Sequence, residues 1–139
     1  QFATTKRIAA LALQQLPSTL AHELSHWLVA YVLGCRPRGL TLWPTRIGKG
    51  RWQLGAVTFT PGTLSAGFVA LAPLWVLGPV AYSLLWLRPP ADLRTEFLVG
   101  LAGGITAWGS VPSSTDIAIA LRYPAGTVLL LLIAYAVLA

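Results

Sequence analysis

Chemistry in this chain is most clearly signalled by His22-Glu23-Leu24-Ser25-His26, an H-E-x-x-H pattern. On a helix, positions i and i+4 share a face, so both imidazoles reach one ion. Glu23 projects beside that face, where it can polarise a water held by the ion. Zinc lowers the pKa of such a water towards ~7, which supplies hydroxide at neutral pH and explains why the chemistry needs these residue types at this spacing. The competing explanation is an accidental match, with the histidines buried as hydrogen-bonded core groups. Two facts weigh against it. The chain has only 2 histidines, and both belong to the pattern. The surrounding helix is otherwise fit for lipid, where ionisable side chains are costly and usually functional.

Two histidines and a water leave one protein ligand of a zinc site to find. The chain has 4 acidic residues. Glu23 is the base, and Asp92 and Glu96 sit at a polar loop and the adjacent helix start. Asp116 follows a helix break at Pro112 and lies between apolar stretches, which makes it the expected third ligand. Ser113-Ser114-Thr115-Asp116 also fits a capping box. The two roles are compatible, because a helix break at membrane depth must have its backbone groups satisfied.

These residues need positioning elements, and the composition restricts which kind. Of 139 residues, 55% are hydrophobic and 10% charged. Soluble domains carry about 25% charged residues. Too few polar groups exist here to wet a globular surface, so the expected class is an all-α integral membrane protein forming a single domain. About four membrane helices, some kinked or broken, and a small re-entrant β-hairpin are expected. Residues 1–34 hold a lead-in and the H-E-x-x-H helix, with Pro17 either kinking it or opening a fresh helix and Gly34 ending it. Residues 36–63 read as the hairpin: strands at 40–43 and 52–59, a turn at Gly48-Lys49-Gly50, and Pro44 ending the first strand or holding it to an edge. Residues 64–87 form a second helix kinked at Pro73 and Pro79. Residues 95–122 form a helix broken near Pro112 that carries Asp116, and 125–139 form the last helix. The net charge of +6 is no nucleic-acid signal, since the basic residues punctuate apolar runs instead of forming a stripe.

The order of these features resembles the intramembrane zinc metalloproteases of the site-2 protease class, over roughly residues 16–122. The likeness implies cleavage of peptide bonds of membrane-protein substrates in or near the bilayer. It implies His22, His26 and Asp116 as ligands of Zn2+ and Glu23 as general base. It further implies an edge strand in the 52–59 region, with Val57, Thr58 and Phe59 holding an extended substrate. Ala70-Leu71-Ala72-Pro73-Leu74 and Gly78-Pro79 are loosely similar to that family's Gly-Pro helix motif. The family's aspartate commonly follows Asn-Pro and precedes Gly; here the context is Val111-Pro112-Ser113-Ser114-Thr115-Asp116-Ile117, in a chain without Asn. Ser113, Ser114, Thr115 or a backbone N–H would then take over the oxyanion.

Other residues carry blander readings. Several of the 6 tryptophans lie near expected segment ends, where indoles favour the membrane interface. Ser18 and Ser25 lack a local Asp to build a triad with the histidines. Cys35, beside Arg36, is read as a free structural thiol and not a nucleophile. The first functional expectation is therefore an intramembrane zinc metallopeptidase. The second is a non-catalytic membrane subunit or assembly factor of a larger membrane complex that retains the fold. A metal transporter lacks the His, Cys and acidic residues for a ligand relay. A multi-pass location is expected with the hairpin side cytoplasmic: Arg36, Arg38, Arg46, Lys49, Arg51 and Arg122 would lie there, against Lys6, Arg7, Arg88 and Arg94 on the other side.

Overall fold

A computed structural model describes residues 2–42, 45–48, 51–53, 55–60 and 62–139, with side chains described for 13–42, 55–60, 62–137 and 139. The chain is mostly helical, with short antiparallel strand pairs between the first two helices. Helix α1 runs Phe2–Val32 without a break at Pro17. It ends in a Schellman motif: Gly34 takes the left-handed conformation (φ +68°), its N–H donates to Tyr31 O, and Cys35 N–H donates to Ala30 O at 2.8 Å. Cys35 is thereby turned into the core beside Val29, Ala30, Val69 and Ala72.

The hairpin forms as two nested pairs. Strand β1 (Arg38–Thr41) pairs with β4 (Ala56–Thr58), and β2 (Thr45–Gly48) pairs with β3 (Arg51–Gln53). The outer pair is bulged at Gly39, whose φ of +65° a side chain would strain. Thr60 N–H donates to Cys35 O and closes the base. Trp43, Pro44, Lys49 and Gly50, and with them the expected turn, lie outside the described residues, as does Leu54.

The run expected as one kinked helix over 64–87 is three pieces: α2 (Ser65–Ala70), a π-helical turn (Pro73–Leu77) and α3 (Gly78–Trp86). Pro73 supplies no N–H, so the helical ladder is disturbed there, and the Leu74 and Trp75 N–H groups both donate to Leu71 O. Helix α4 (Leu93–Gly109) begins two residues before the expected start because Asp92 caps it, accepting from Arg94 and Thr95 N–H. Helix α5 (Ser114–Arg122) follows the Pro112 break, and Pro124 opens α6 (Pro124–Leu138) as its first residue. The expectation of about four membrane helices needs correction at this level. Among the described residues no single helix is both long and apolar enough to cross a bilayer. The segments Ser114–Arg122 and Pro124–Val137 pass that test only as a pair, bent by 99°. The reasons are local: α1 is long, about 46 Å at ~1.5 Å per residue, but carries Gln14, Gln15, His22, Glu23, Ser25 and His26. The prolines divide the remaining apolar sequence into short pieces.

Helix α3 packs along α4, α1 lies against α4 and the π-helical turn, and α2 is held between α5, α6 and α1. The interior is made of small side chains: Ala30, Ala66, Ala70 and Ala72 are fully buried, and the largest fully buried residues are Val69 and Pro73. Leu, Tyr and Trp side chains lie outside, with Leu93, Leu121, Tyr135 and Trp86 each about two-thirds or more exposed.

Candidate metal centre

Five elements meet at the H-E-x-x-H segment, and two prolines prepare the meeting. In a regular helix the Val69 carbonyl would accept from the N–H four residues on. That residue is Pro73, which has none. The freed carbonyl accepts instead from His26 Nδ1 at 2.7 Å. The Gly109 carbonyl is an orphan for a related reason: α4 stops there, before Pro112, leaving its last carbonyls without helical donors. It accepts from His22 Nδ1 at 2.8 Å. Close approach of α4 to α1 at this point needs glycine, because a Cβ on Gly109 would lie 2.9 Å from Ser18 O.

A carbonyl only accepts, so both Nδ1 atoms carry a proton, and in the neutral rings both Nε2 atoms present lone pairs. These lone pairs converge. His22 Nε2 and His26 Nε2 are 3.2 Å apart. Asp116 faces them both, with Oδ2 at 3.3 Å from His22 Nε2 and Oδ1 at 3.2 Å from His26 Nε2. Asp116 is held by the capping box of α5: Ser113 N–H donates to Asp116 Oδ2 at 2.7 Å, and Asp116 N–H donates to Ser113 Oγ at 3.2 Å. The two roles foreseen for Asp116, cap and partner of the histidines, therefore coexist in one conformation.

Three groups of acceptor atoms aimed at one point repel one another unless a cation or proton lies between them. His22, His26 and Asp116 lie close enough together to hold a metal ion. Four ligands at 2.0–2.1 Å from a tetrahedral centre are about 3.3–3.4 Å from each other; the two Nε2 atoms are 3.2 Å apart, and each faces a different oxygen of Asp116. Each histidine already has the outer hydrogen bond that metal-bound imidazoles almost always make.

Glu23 is buried in the same place, 7% exposed, and lines a cavity of about 70 Å³ with His22, His26 and Asp116. Gly55, Ala56, Val57 and Phe59 close that cavity from the hairpin, Ala70 from α2, and Ser113, Thr115 and Ile119 from α5. Among the residues assigned to substrate and oxyanion, Val57, Phe59, Ser113 and Thr115 are at the cavity. Thr58 pairs with Arg38 in the strand, and Ser114 opens α5; neither lines the cavity. The Ser18 and Ser25 hydroxyls donate to Gln15 O and His22 O of their own helix. Trp27 stacks on Tyr31, and the Trp75 indole donates to Phe68 O.

Sequence reasoning missed Gly55, Gly109 and the Val69 carbonyl. For Val69 a signal existed, since a proline inside an apolar helix frees the carbonyl four residues before it. For Gly55 no local signal existed. Comparison with protein-family models, curated proteins and solved structures returned no match to this chain, and the site is read from its own geometry.

Proposed function

We propose that the chain is an integral-membrane zinc metallopeptidase that hydrolyses peptide bonds of membrane-protein substrates. The observation that carries this reading is the convergence of the His22, His26 and Asp116 acceptors at 3.2–3.3 Å, beside a buried carboxylate that is not one of the three. Two imidazole nitrogens and a carboxylate suit zinc. Held by His22, His26 and Asp116, the ion would supply Lewis acidity and would lower the pKa of a water towards ~7. Glu23 takes the proton of the attacking water and returns it to the leaving amine. Ser113 Oγ accepts from Asp116 N–H, so its own hydrogen is left to donate to a developing oxyanion, and Thr115 lines the same space. The edge of β4 away from β1, carrying Val57 and Thr58 with Phe59 directly after them, is the surface for an extended substrate.

Membrane residence is supported by the inverted packing, small residues inside and large apolar ones outside. Monomeric soluble proteins rarely expose contiguous apolar patches beyond a few hundred Å², and small residues at helix contacts are the habit of helices associating in lipid. We assign the hairpin and the 120–124 turn to the cytoplasmic side. With single cysteines at positions 49 and 92 in a Cys35→Ser background, an impermeant thiol reagent added to intact cells labels position 92 and not 49; the opposite pattern reverses the orientation.

A cavity of about 70 Å³ is small for a peptide. That favours, as second reading, a non-catalytic membrane subunit that retains the fold and the metal. One comparison separates the two readings: zinc content and cleavage of fluorescein-labelled casein in detergent, for the wild type and for Glu23→Gln. Stoichiometric zinc in both with cleavage by the wild type alone supports the peptidase. Zinc without cleavage in either favours the subunit, and a wild type without zinc overturns both.

A further inference from the structure

We infer that Gly55 is a positioning residue for Glu23: the Glu23 carboxylate occupies the space that a side chain at position 55 would fill, and the bare hairpin backbone there lets it stand toward the histidine–aspartate cluster. The inference rests on the peptidase reading and adds to it the element that aims the base.

Glycines in this chain answer to two different demands. Gly34 and Gly39 have left-handed φ values, and a Cβ on either would meet nothing within 4 Å, so conformation selects glycine there. Gly55 is the reverse. Space selects glycine instead. A Cβ on Gly55 would lie 2.8 Å from Glu23 Cγ and 2.9 Å from Cδ, and would overlap Oε1. Separations below 3.0 Å essentially do not occur for Cβ, so one partner must move. The Gly55 backbone leads directly into the paired strand β4, whereas the Glu23 side chain turns on single bonds. Glu23 is the group that would swing away.

The direction of that movement matters chemically. Glu23 and Gly55 line one cavity with His22, His26 and Asp116. A carboxylate displaced by about 1 Å from its working position is expected to lose ~10–100-fold in rate, by loss of alignment and not of binding. The histidine Nδ1–H groups donate to the Gly109 and Val69 carbonyls, not to the hairpin. Ion binding should therefore survive a change at position 55.

The test compares wild type, Gly55→Ala, Glu23→Ala and the double variant, each purified whole in detergent and loaded with Co2+ as the metal probe. Readouts are the visible d–d absorption of the bound cobalt and the kcat and KM for fluorescein-labelled casein. Gly55→Ala is expected to bind one Co2+, to lose ~10–100-fold in kcat with KM within about twofold, and to shift the cobalt spectrum towards that of Glu23→Ala. In the Glu23→Ala background the same substitution should leave the spectrum unchanged. Wild-type kcat in Gly55→Ala, or an equal spectral change in both backgrounds, overturns the inference. If Gly55→Ala misfolds, recovery of folded, metal-binding protein in the double variant supports it. Misfolding of the double variant as well overturns it, because glycine would then serve the hairpin alone. Failure of the peptidase reading is told apart: cobalt bound without cleavage by the wild type sinks peptidase activity, while the spectra still decide the role of Gly55.

Discussion

Two polar clusters are set into this apolar chain, and they are satisfied in opposite ways. Between α3 and α4, Arg88 grips Glu96 with both terminal nitrogens while its Nε donates to Leu84 O, and Ala91 N–H adds a further bond to Glu96. Asp92 beside it caps α4. Cation, anion and backbone donors close that corner without outside help. At the meeting of α1 and α5, by contrast, two imidazole Nε2 atoms and a carboxylate face one another, with both Nδ1 protons given to main-chain carbonyls and the Ser113 N–H donating to the carboxylate. The corner is complete by itself and the centre asks for a cation. The difference separates a structural polar cluster from a functional one: acceptors left converging point to a ligand, whereas a matched set points to a turn being held.

Substitutions should affect the two clusters unequally. The largest effect is expected from Glu23→Gln, which keeps the volume and removes the proton acceptor. kcat should fall about 10²–10⁴-fold with zinc retained, measured by casein cleavage alongside metal analysis. Next is Asp116→Ala, which removes a ligand and half of the capping box together. Its zinc affinity, by competition with a chromophoric chelator, should fall by more than the roughly 10–100-fold that loss of an outer partner causes. Chelation of the wild type should lower Tm by the linkage expected for a ligand that binds only the folded state, about 2.7 kcal/mol when zinc stands at 100 times its Kd.

A subtler break is Pro73→Ala. It restores an N–H four residues after Val69, which competes with His26 Nδ1 for the carbonyl. Zinc should bind about 10-fold more weakly while helix content is maintained or increased, read by titration and circular dichroism. The smallest effect belongs to the corner. Hydrogen bonds from Arg88 and from Ala91 N–H hold the Glu96 carboxyl at about 2, below its ordinary 4.5. A depressed carboxyl contributes stability that is present above its unfolded value and is lost as pH falls through the folded one. A modest fall in Tm between about pH 4.5 and 2 should therefore occur in the wild type and be smaller in Glu96→Gln, where the Asp92 carboxyl, held low by its hydrogen bonds from Thr95, remains, with zinc content at neutral pH equal in both. A large loss of zinc in Glu96→Gln would break the distinction between the clusters.

Legibility in the sequence followed the range of the interactions. His22, Glu23 and His26 were readable because four residues of helix fix their geometry, and Asp116 because so few acids compete for the role. The outer strands were readable in part from the patterns at 40–43 and 52–59, and the break before α5 from Pro112, whereas β2 (Thr45–Gly48) was not foreseen and Lys49-Gly50 of the expected turn lie outside the described residues. Gly55 and Gly109 were not readable. Each is glycine because a distant segment comes close, Glu23 in one case and Ser18 in the other, and nothing within a few residues of either encodes that approach. Hydropathy suggested about four spans but not the pieces: Pro73 and Pro79 leave the average of the run over 64–87 unchanged while altering the ladder within it.

The outer partners of both histidines are main-chain carbonyls, one on α2 and one at the end of α4. No side-chain replacement deletes a carbonyl, so, apart from a competing donor such as the N–H that Pro73→Ala restores, these contacts respond to where the helices stand relative to α1. With an ion held there as proposed, its affinity would gauge helix spacing: a detergent that lets α4 drift by an ångström would register as faster metal release before the chain unfolds.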